Sequence, residues 1–367
     1  MSKKALNTGP QSSPMSRSDS VATVTVMCAW LRVLATAAGH GEARAVEALY
    51  DSAVRRPTFL DVVPMLVAVL VLAGCGQSSN VAAGPKLVSQ SDLVSPRDVT
   101  SGFGSIWASS GPGGTVTRID PLTEAHLATI YLHADASVLA VSPDAIWVTS
   151  YSDVTVFKID PGSNQVVGSV DPGGSGPVGI AFFDGYIWVA NHDGTPRGSV
   201  AKIDPAKMKV VDLIYLGDES QAGPNWIASG AGSLWVGVPN AGAVFRIDPV
   251  SDSVLAKIPD SAVGGEIVAD DHNVWIAGGD VPGITHIDPA ASVATRVEKE
   301  VGIGGALTMG EGYVWFGTSI TLDRIDPKTS KVVGTLQMPG PAFGSTVAFG
   351  YVWITDRDSG KLYKIKP

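Results

Sequence analysis

Residues 186–205 read Tyr-Ile-Trp-Val-Ala-Asn-His-Asp-Gly-Thr-Pro-Arg-Gly-Ser-Val-Ala-Lys-Ile-Asp-Pro, and two marks of this stretch recur along the chain. The first mark is a tryptophan in an aliphatic frame, found at intervals of 40, 41, 47, 40, 40 and 38 residues at Trp107, Trp147, Trp188, Trp235, Trp275, Trp315 and Trp353. The second mark is Ile-Asp-Pro, found at 119–121, 159–161, 203–205, 247–249, 287–289 and 325–327 and degenerate as Ile-Lys-Pro at 365–367. Self-similarity at a period of this length indicates a repeat architecture.

Each repeat predicts four short strands, which residues 177–217 illustrate. The strands are expected at Val178–Phe182, Tyr186–Asn191, Ser199–Asp204 and Lys209–Tyr215, where β-branched and aromatic runs are bounded by Gly, Asp, Asn and Pro. The second strand is apolar on both faces, so its sheet must pack between two others. Four-stranded units of this size stacked radially are blades of a β-propeller, and we predict an all-β, seven-bladed ring. The tryptophans are then packing residues between blades, and the repeated aspartates are turn formers.

The two ends of the repeat region predict how the ring closes. The last repeat ends after its third strand, at Lys361 to Lys366, whereas residues 86–90 (Lys-Leu-Val-Ser-Gln) have the spacing of a fourth strand. An N-terminal strand would then complete the last blade, with Leu87 and Val88 supplying apolar cover, and would leave no open strand edge. We therefore expect the propeller to span residues 86–367, to be a monomer, and to follow a short flexible tether at 76–85.

The N-terminal region carries a segment typical of export signals. Two arginines, Arg55 and Arg56, precede an apolar run at 62–72 that is shorter than the roughly 20 residues of a membrane-spanning helix. The following Leu-Ala-Gly-Cys, residues 72–75, resembles the lipobox of bacterial lipoproteins. That resemblance implies that 54–75 is a signal peptide, that Cys75 carries a lipid, and that the protein is exported and anchored to the cell membrane on its extracytoplasmic side. The alternative is an ordinary signal peptide with a chance cysteine.

Residues 1–53 do not fit an export signal, which should begin near the N-terminus. They are either a cytoplasmic extension or the product of an over-extended start, with translation beginning near Val54. We favour the second interpretation and assign no function to this stretch.

Composition excludes several function classes. The chain has 26 Lys and Arg against 35 Asp and Glu, and residues 76–367 carry 19 of the former and 30 of the latter. Such an acidic body disfavours nucleic acid as a partner, because phosphates require a basic face. The only cysteines are Cys28 and Cys75, so nothing beyond Cys75 can form a disulfide, a thiolate metal site or a catalytic thiol.

Two families of propellers resemble this chain. Residues 139–149 and 187–204 resemble the YVTN or surface-layer type of repeat, whose relatives include binding and cell-envelope proteins. The streptogramin (virginiamycin B) lyases are similar in having seven blades, and they use histidine and glutamate with magnesium at the funnel. They carry Trp-Phe-Thr-Glu in their second strands, a pattern that here is approached only by Val352–Asp356.

The funnel of the ring is where we expect a ligand. Alignment of the blades isolates one position just before the apolar pair of each first strand, occupied by Asp98, Val138, Gly179, Trp226, Glu266, Ala306 and Thr346. A small or apolar residue is expected at this position, and blades 1, 4 and 5 differ by having Asp98, Trp226 and Glu266. They predict an aromatic platform and two carboxylates that face a polar or cationic ligand. The alternative is that Trp226 plugs the channel and the acids are merely solvated. His192, in a loop at the funnel rim, is a fourth candidate, or else an ordinary exposed loop histidine.

Three functions remain open at this point. The first is a non-enzymatic envelope lipoprotein that needs no cofactor and binds a small molecule, a glycan or an envelope protein. The second is a metal-assisted lyase or hydrolase that uses Asp98, Glu266 and a rim histidine around one divalent ion such as magnesium. The third is a structural module that contacts partner proteins through its rim loops.

Overall fold

The structure is a computed structural model that describes residues 84–192, 198–216, 223–260, 262–297 and 304–367. The predictions made for residues 1–53, for the signal peptide at 54–75 and for lipidation of Cys75 lie outside these residues. Within them, no helix has the length and apolar character needed to cross a membrane.

The seven repeats form seven four-stranded antiparallel sheets, which we call blades 1 to 7. Blade 1 comprises β2 (Pro96–Gly102), β3 (Ser105–Ser110), β4 (Thr115–Ile119) and β5 (His126–Tyr131), and blade 2 comprises β6 (Leu139–Val141), β7 (Ile146–Ser150), β8 (Thr155–Asp160) and β9 (Gln165–Val170). Blade 3 comprises β10 (Pro177–Phe183), β11 (Tyr186–Asn191), β12 (Ser199–Asp204) and β13 (Lys209–Tyr215). Blade 4 comprises β14 (Ile227–Gly230), β15 (Ser233–Val238), β16 (Ala243–Asp248) and β17 (Ser253–Pro259).

Blades 5 to 7 continue the same order. Blade 5 comprises β18 (Ile267–Ala269), β19 (Val274–Ala277), β20 (Ile284–Asp288) and β21 (Val293–Val297). Blade 6 comprises β22 (Ala306–Gly310), β23 (Tyr313–Gly317), β24 (Thr321–Asp326) and β25 (Lys331–Gln337). Blade 7 comprises β26 (Ser345–Ala348), β27 (Tyr351–Asp356), β28 (Lys361–Lys366) and β1 (Lys86–Asp92). The first strand of each blade contacts the first strands of both neighbours, including β2 with β26, so the blades close into a ring. The all-β, seven-bladed propeller predicted from the repeats is confirmed.

The chain closes the ring as the repeat count predicts. β1 pairs antiparallel with β28 and supplies the fourth strand of blade 7. Leu87 packs into the apolar cluster between blades 6 and 7. Val88, in contrast, is exposed, so the predicted apolar cover by this residue is wrong. The register of β1 shifts between Leu87 and Ser89, and the β-bulge at this point leaves Val88 without a partner on β28.

The tryptophans and the Ile-Asp-Pro turns have the structural roles that the sequence predicts. All seven repeat tryptophans are fully buried in clusters that join one blade to the next. In the turns, a carboxylate oxygen of the aspartate accepts the backbone N–H two residues on, as Asp120 does from Leu122 at 2.8 Å. Hydrogen bonds within the turn lower the pKa of two of these aspartates: that of Asp120 mainly through the N–H of Thr123 and then that of Leu122, and that of Asp160 mainly through the hydroxyl of Ser163.

Among the described residues, a basic side chain fastens at least five of the seven joints between blades. In those five joints it lies over the tryptophan of its own blade and donates to the carbonyl of the Asp-Pro turn in the next blade. The donors and acceptors are Arg118 and Pro161, Lys158 and Pro205, Lys202 and Pro249, Arg246 and Pro289, and Lys364 and Pro121. The signal was present in the sequence, because a Lys, Arg or His precedes every Ile-Asp-Pro and the final Ile-Lys-Pro.

Candidate functional site

The axis of the ring holds a cavity of about 160 Å³ that residues from all seven blades line. Asp98, Trp226 and Glu266 are among them, so the structure brings together three of the four predicted site residues. A propeller presents the free backbone edge of each first strand to its axis, and amide groups at such an edge need partners. The two carboxylates supply partners of this kind.

Asp98, in β2, bridges blades 1 and 2. Its side chain is 6% exposed. One carboxylate oxygen accepts the N–H of Val99 at 2.8 Å, and the other accepts the N–H of Leu139, in β6 of blade 2, at 2.7 Å. The backbone N–H of Asp98 donates to Ser109 Oγ at 3.0 Å, which holds the residue against β3.

Glu266, directly before β18, plays the same part between blades 5 and 6. Its side chain is 8% exposed. The Oε2 atom accepts the N–H of Leu307 at 2.5 Å and the hydroxyl of Ser345, in blade 7, at 3.3 Å. Both bonds go to Oε2, and Oε1 takes part in neither. Sequence reasoning did not single out Ser345, although it lies one residue beyond the blade 7 equivalent of Asp98 and Glu266.

The two carboxyl groups oppose each other electrostatically. Burial raises the pKa of Asp98 to about 6, and the hydrogen bonds from Leu139 and Val99 only partly offset it. Burial and then the charge of Asp98 raise the pKa of Glu266 well above its ordinary value. Two buried like charges disfavour simultaneous ionisation, so the second proton leaves the pair at a higher pH than it would leave an isolated carboxyl group. A cation in the cavity would favour loss of that proton.

The alignment that isolated these residues is wrong in one blade. Thr346 pairs with Trp353, as Thr100 does with Trp107, so Thr346 is not the equivalent of Asp98. The equivalent residue is Gly344, which lies nine residues before its tryptophan, as the corresponding residue does in every other blade. A Cβ on Gly344 would approach the carbonyl of Arg97 and the Cα of Asp98 to 2.8 Å.

Trp226 forms part of the channel wall without closing the channel. It is half-buried, and it packs against the apolar cluster between blades 2 and 3 and against the one between blades 4 and 5. Its backbone is so close to blade 3 that a Cβ on Gly179 would lie 3.0 Å from the Cα of Trp226. The cavity of about 160 Å³ remains beside its side chain.

His192 lies apart from the carboxylates. It follows β11, donates its backbone N–H to the carbonyl of Gly176 at 2.9 Å, and has Gly223 and Asn240 as neighbours of its ring. It is not among the residues that line the cavity. Across the described parts of the chain, no three His, Cys, Asp or Glu side chains come together in a way that could hold a metal ion.

Comparison with known proteins supports the fold and goes no further. No family model matches the chain, and no curated protein matches it. Among solved structures, Kuenenia stuttgartiensis hydrazine synthase is similar with a TM-score of 0.64 and 16% identity over 80% of this chain and 99% of that one. The Neurospora crassa Pan2 WD40 domain is similar with a TM-score of 0.63 and 10% identity over 77% of this chain and 95% of that one. At these identities the likeness shows a shared propeller fold only.

Proposed function

We propose that this chain is an exported, lipid-anchored β-propeller of the cell envelope that acts as a binding or interaction scaffold. Its channel would hold a small polar or cationic group between Asp98, Glu266 and Trp226. One observation carries this proposal: two carboxyl side chains from equivalent repeat positions of blades 1 and 5 converge on one cavity in the ring. The fold is consistent with an interaction scaffold.

The dimensions of the channel limit the ligand. Pockets for drug-sized molecules have volumes of about 300–1,000 Å³, and the channel cavity has about 160 Å³. It would therefore accept a small polar molecule, or one cationic group of a larger glycan or protein that covers the funnel. Glu266 Oε1, which is outside the hydrogen bonds to blades 6 and 7, is the atom we expect to contact this group.

The channel proposal is tested with two matched variants. Native mass spectrometry of the protein purified from its own host should detect a bound small ligand, and Glu266→Gln should release it. The matched control is Glu311→Gln, in an exposed turn of blade 6, which should retain the ligand. A ligand that is present in the parent and equally bound in Glu266→Gln would show that the channel is not its site.

Export and anchoring are proposed from the pattern of residues 54–75 and have their own test. Replacing Cys75 with alanine should move the protein from the membrane fraction to the soluble exported fraction, because the lipid would have no attachment point. Ser79→Ala, four residues beyond Cys75, is the control and should leave the protein in the membrane fraction. If Cys75→Ala stays with the membrane after washing without detergent, the lipobox interpretation is wrong.

The metal-assisted lyase or hydrolase is the alternative, and it rests on the same two carboxyls. Under the leading proposal the protein needs no cofactor, whereas the alternative needs one divalent ion at Asp98 and Glu266. Calorimetric titration with magnesium and calcium separates the two. A stoichiometric ion that is lost in Glu266→Ala would favour the enzyme, and heat equal to that of the buffer blank would favour the scaffold.

A further inference from the structure

Blade 5 departs from the other blades at the residue that fastens the joints. In place of Lys or Arg it carries His286, whose ring stacks on Trp275 at a centroid distance of 4.5 Å. The imidazole is too short for the next blade, and its Nε2 is paired instead with Asn273 Oδ1 of its own blade at 3.0 Å. At the equivalent joints the basic head group continues to a proline carbonyl of the next blade, as Arg246 does to Pro289 at 2.7 Å.

The backbone of blade 5 differs at the same place. In each of the other six blades, the pairing of the third and fourth strands shifts register at the basic residue, through a β-bulge. The pairing of β20 with β21 is regular throughout. The histidine is therefore part of a local rearrangement of the blade.

The place that a long basic side chain would occupy in this joint is open. A head group at the equivalent joints lies between the first turn of its own blade and the Asp-Pro turn of the next. Lys158, for example, contacts both Asp144 and Pro205. At the joint of blades 5 and 6, Asp270 lies in the first turn of blade 5, at the position of Ser142 in blade 2, and Pro327 lies in the Asp-Pro turn of blade 6. Both line a cavity of about 610 Å³, which also reaches Ser229, Thr308 and Tyr313.

A second feature of this joint is a buried donor without an acceptor. In five blades the indole Nε1 donates to the carbonyl of the residue five positions earlier, and in blade 2 it donates to Ser142 Oγ. Trp275 Nε1 is fully buried and has no partner among the described residues. The residue five positions earlier is Asp270, which lines the cavity, whereas Trp275 itself is not among the lining residues.

The walls of this cavity favour a cation. The Oδ1 atom of Asp270 accepts the backbone N–H groups of His272 and Asn273, and Oδ2 takes no part in these bonds. Arg324 stacks on Tyr313 and lies beside Gly334 and Pro85, on the blade 7 side of blade 6, and Lys328 directly follows the lining residue Pro327. The volume of about 610 Å³ is in the usual range for small-molecule sites, roughly 300–1,000 Å³.

We propose that the cavity between blades 5 and 6 binds an organic cation, a guanidinium or primary ammonium group, in the place that a lysine or arginine of the blade itself fills at five other joints. The carboxylate of Asp270 and the carbonyl of Pro327 accept its N–H groups. An acceptor atom on the same ligand pairs with Trp275 Nε1. The site is separate from the channel carboxyls, and this proposal does not depend on the proposed function.

The experiment is calorimetric titration of the full chain with two guanidinium probes. Propylguanidinium represents a free small cation, and the capped tripeptide acetyl-Ala-Arg-Ala-amide represents a basic side chain of a partner. The matched neutral probe is the same tripeptide with citrulline in place of arginine. We expect both guanidinium probes to bind and the citrulline probe not to bind. A peptide affinity at least about tenfold above that of propylguanidinium would identify a protein partner as the source, and equal affinities would identify a small cation.

Two variants locate the binding. In His286→Arg, the arginine side chain of blade 5 itself would occupy the cavity. This variant should abolish binding of the probes and raise the melting temperature. Asp270→Asn keeps the Oδ1 acceptor of the turn but removes the charge, and should weaken binding about tenfold or more. His126→Arg, on the exposed outer strand of blade 1, should leave the affinity unchanged. Equal binding of the citrulline peptide, or unchanged affinity in Asp270→Asn and His286→Arg, would overturn the assignment.

Discussion

Replacing Lys364 with methionine should weaken the joint at which the ring closes. Lys364 belongs to β28, in the last repeat, and its side chain is 5% exposed. Its Nζ lies 2.8 Å from the carbonyl oxygen of Pro121 and 3.6 Å from Glu124 Oε1, both in blade 1. The same atom is 5.1 Å from the ring centroid of Trp353. Methionine keeps most of the unbranched stem and removes only the charged, hydrogen-bonding head.

The expected loss follows from these contacts. A hydrogen bond from a charged donor contributes about 1.5–3 kcal/mol, and a desolvated cation over tryptophan contributes about 2 kcal/mol. The variant is also spared the cost of burying an ammonium group, which amounts to several kcal/mol. We therefore expect a net loss of about 2–3 kcal/mol in the free energy of unfolding. At roughly 2–4 °C per kcal/mol for a domain of this size, the melting temperature should fall by about 4–12 °C.

Two control variants make the result specific. Lys366→Met removes an exposed lysine two residues away and should change the free energy by less than about 0.5 kcal/mol. Arg246→Met breaks the equivalent contact to Pro289 between blades 4 and 5 and should cost as much as Lys364→Met. Thermal and urea unfolding measure the loss, and hydrogen exchange locates it, with early exchange in β1 and β28 for Lys364→Met alone. If Lys364→Met unfolds like the parent while Arg246→Met is destabilised, the closing joint does not depend on this lysine.

Three further predictions follow from the same geometry. Deletion of residues 84–92, which removes β1, should lower the melting temperature and cause aggregation that light scattering detects, because β28 becomes an unpaired edge. A deletion variant that stays monomeric and melts at the same temperature would mean that the ring closes without β1. The folded-state pKa values of Asp98 and Glu266 are raised, so the folded protein binds more protons at these two groups than the unfolded chain does. The two carboxyl groups should therefore make the unfolding free energy fall as the pH rises from about 4 to 7. Urea titrations of the parent and of the double variant Asp98→Asn/Glu266→Gln isolate this contribution, and an identical pH slope in both proteins would contradict it. Gly344→Ala should lower the free energy of unfolding by about 1–3 kcal/mol, because the added Cβ meets the backbone of blade 1 at 2.8 Å. The control is Gly305→Ala, whose Cβ meets nothing within 4 Å and which should leave thermal melting unchanged. Equal melting curves for the two variants would refute this prediction.

The candidate site could be predicted only in part. The nine-residue spacing to each tryptophan places Asp98, Trp226 and Glu266 at equivalent positions, and the ring then brings them to one axis. Spacing does not reveal that the two carboxylates bind backbone amides of the following blades, because those partners lie 41 residues away in sequence. Nor does it separate His192, which a loop of blade 3 holds outside the cavity.

The sequence by itself determined the fold, because the repeat carries all of its local instructions within about 40 residues. Strand patterning, Asp-Pro turns and a tryptophan in each unit specify one blade, and the number of units specifies the ring. Only the tertiary structure decided what the joints between blades contain. The contacts of Lys364 with blade 1, the open place beside His286 and the raised pKa values of Asp98 and Glu266 all depend on which side chains face one another across two blades. The basic residue before each Ile-Asp-Pro is visible in the sequence, but its partners, its burial and the charges that face it arise from the packing of distant segments.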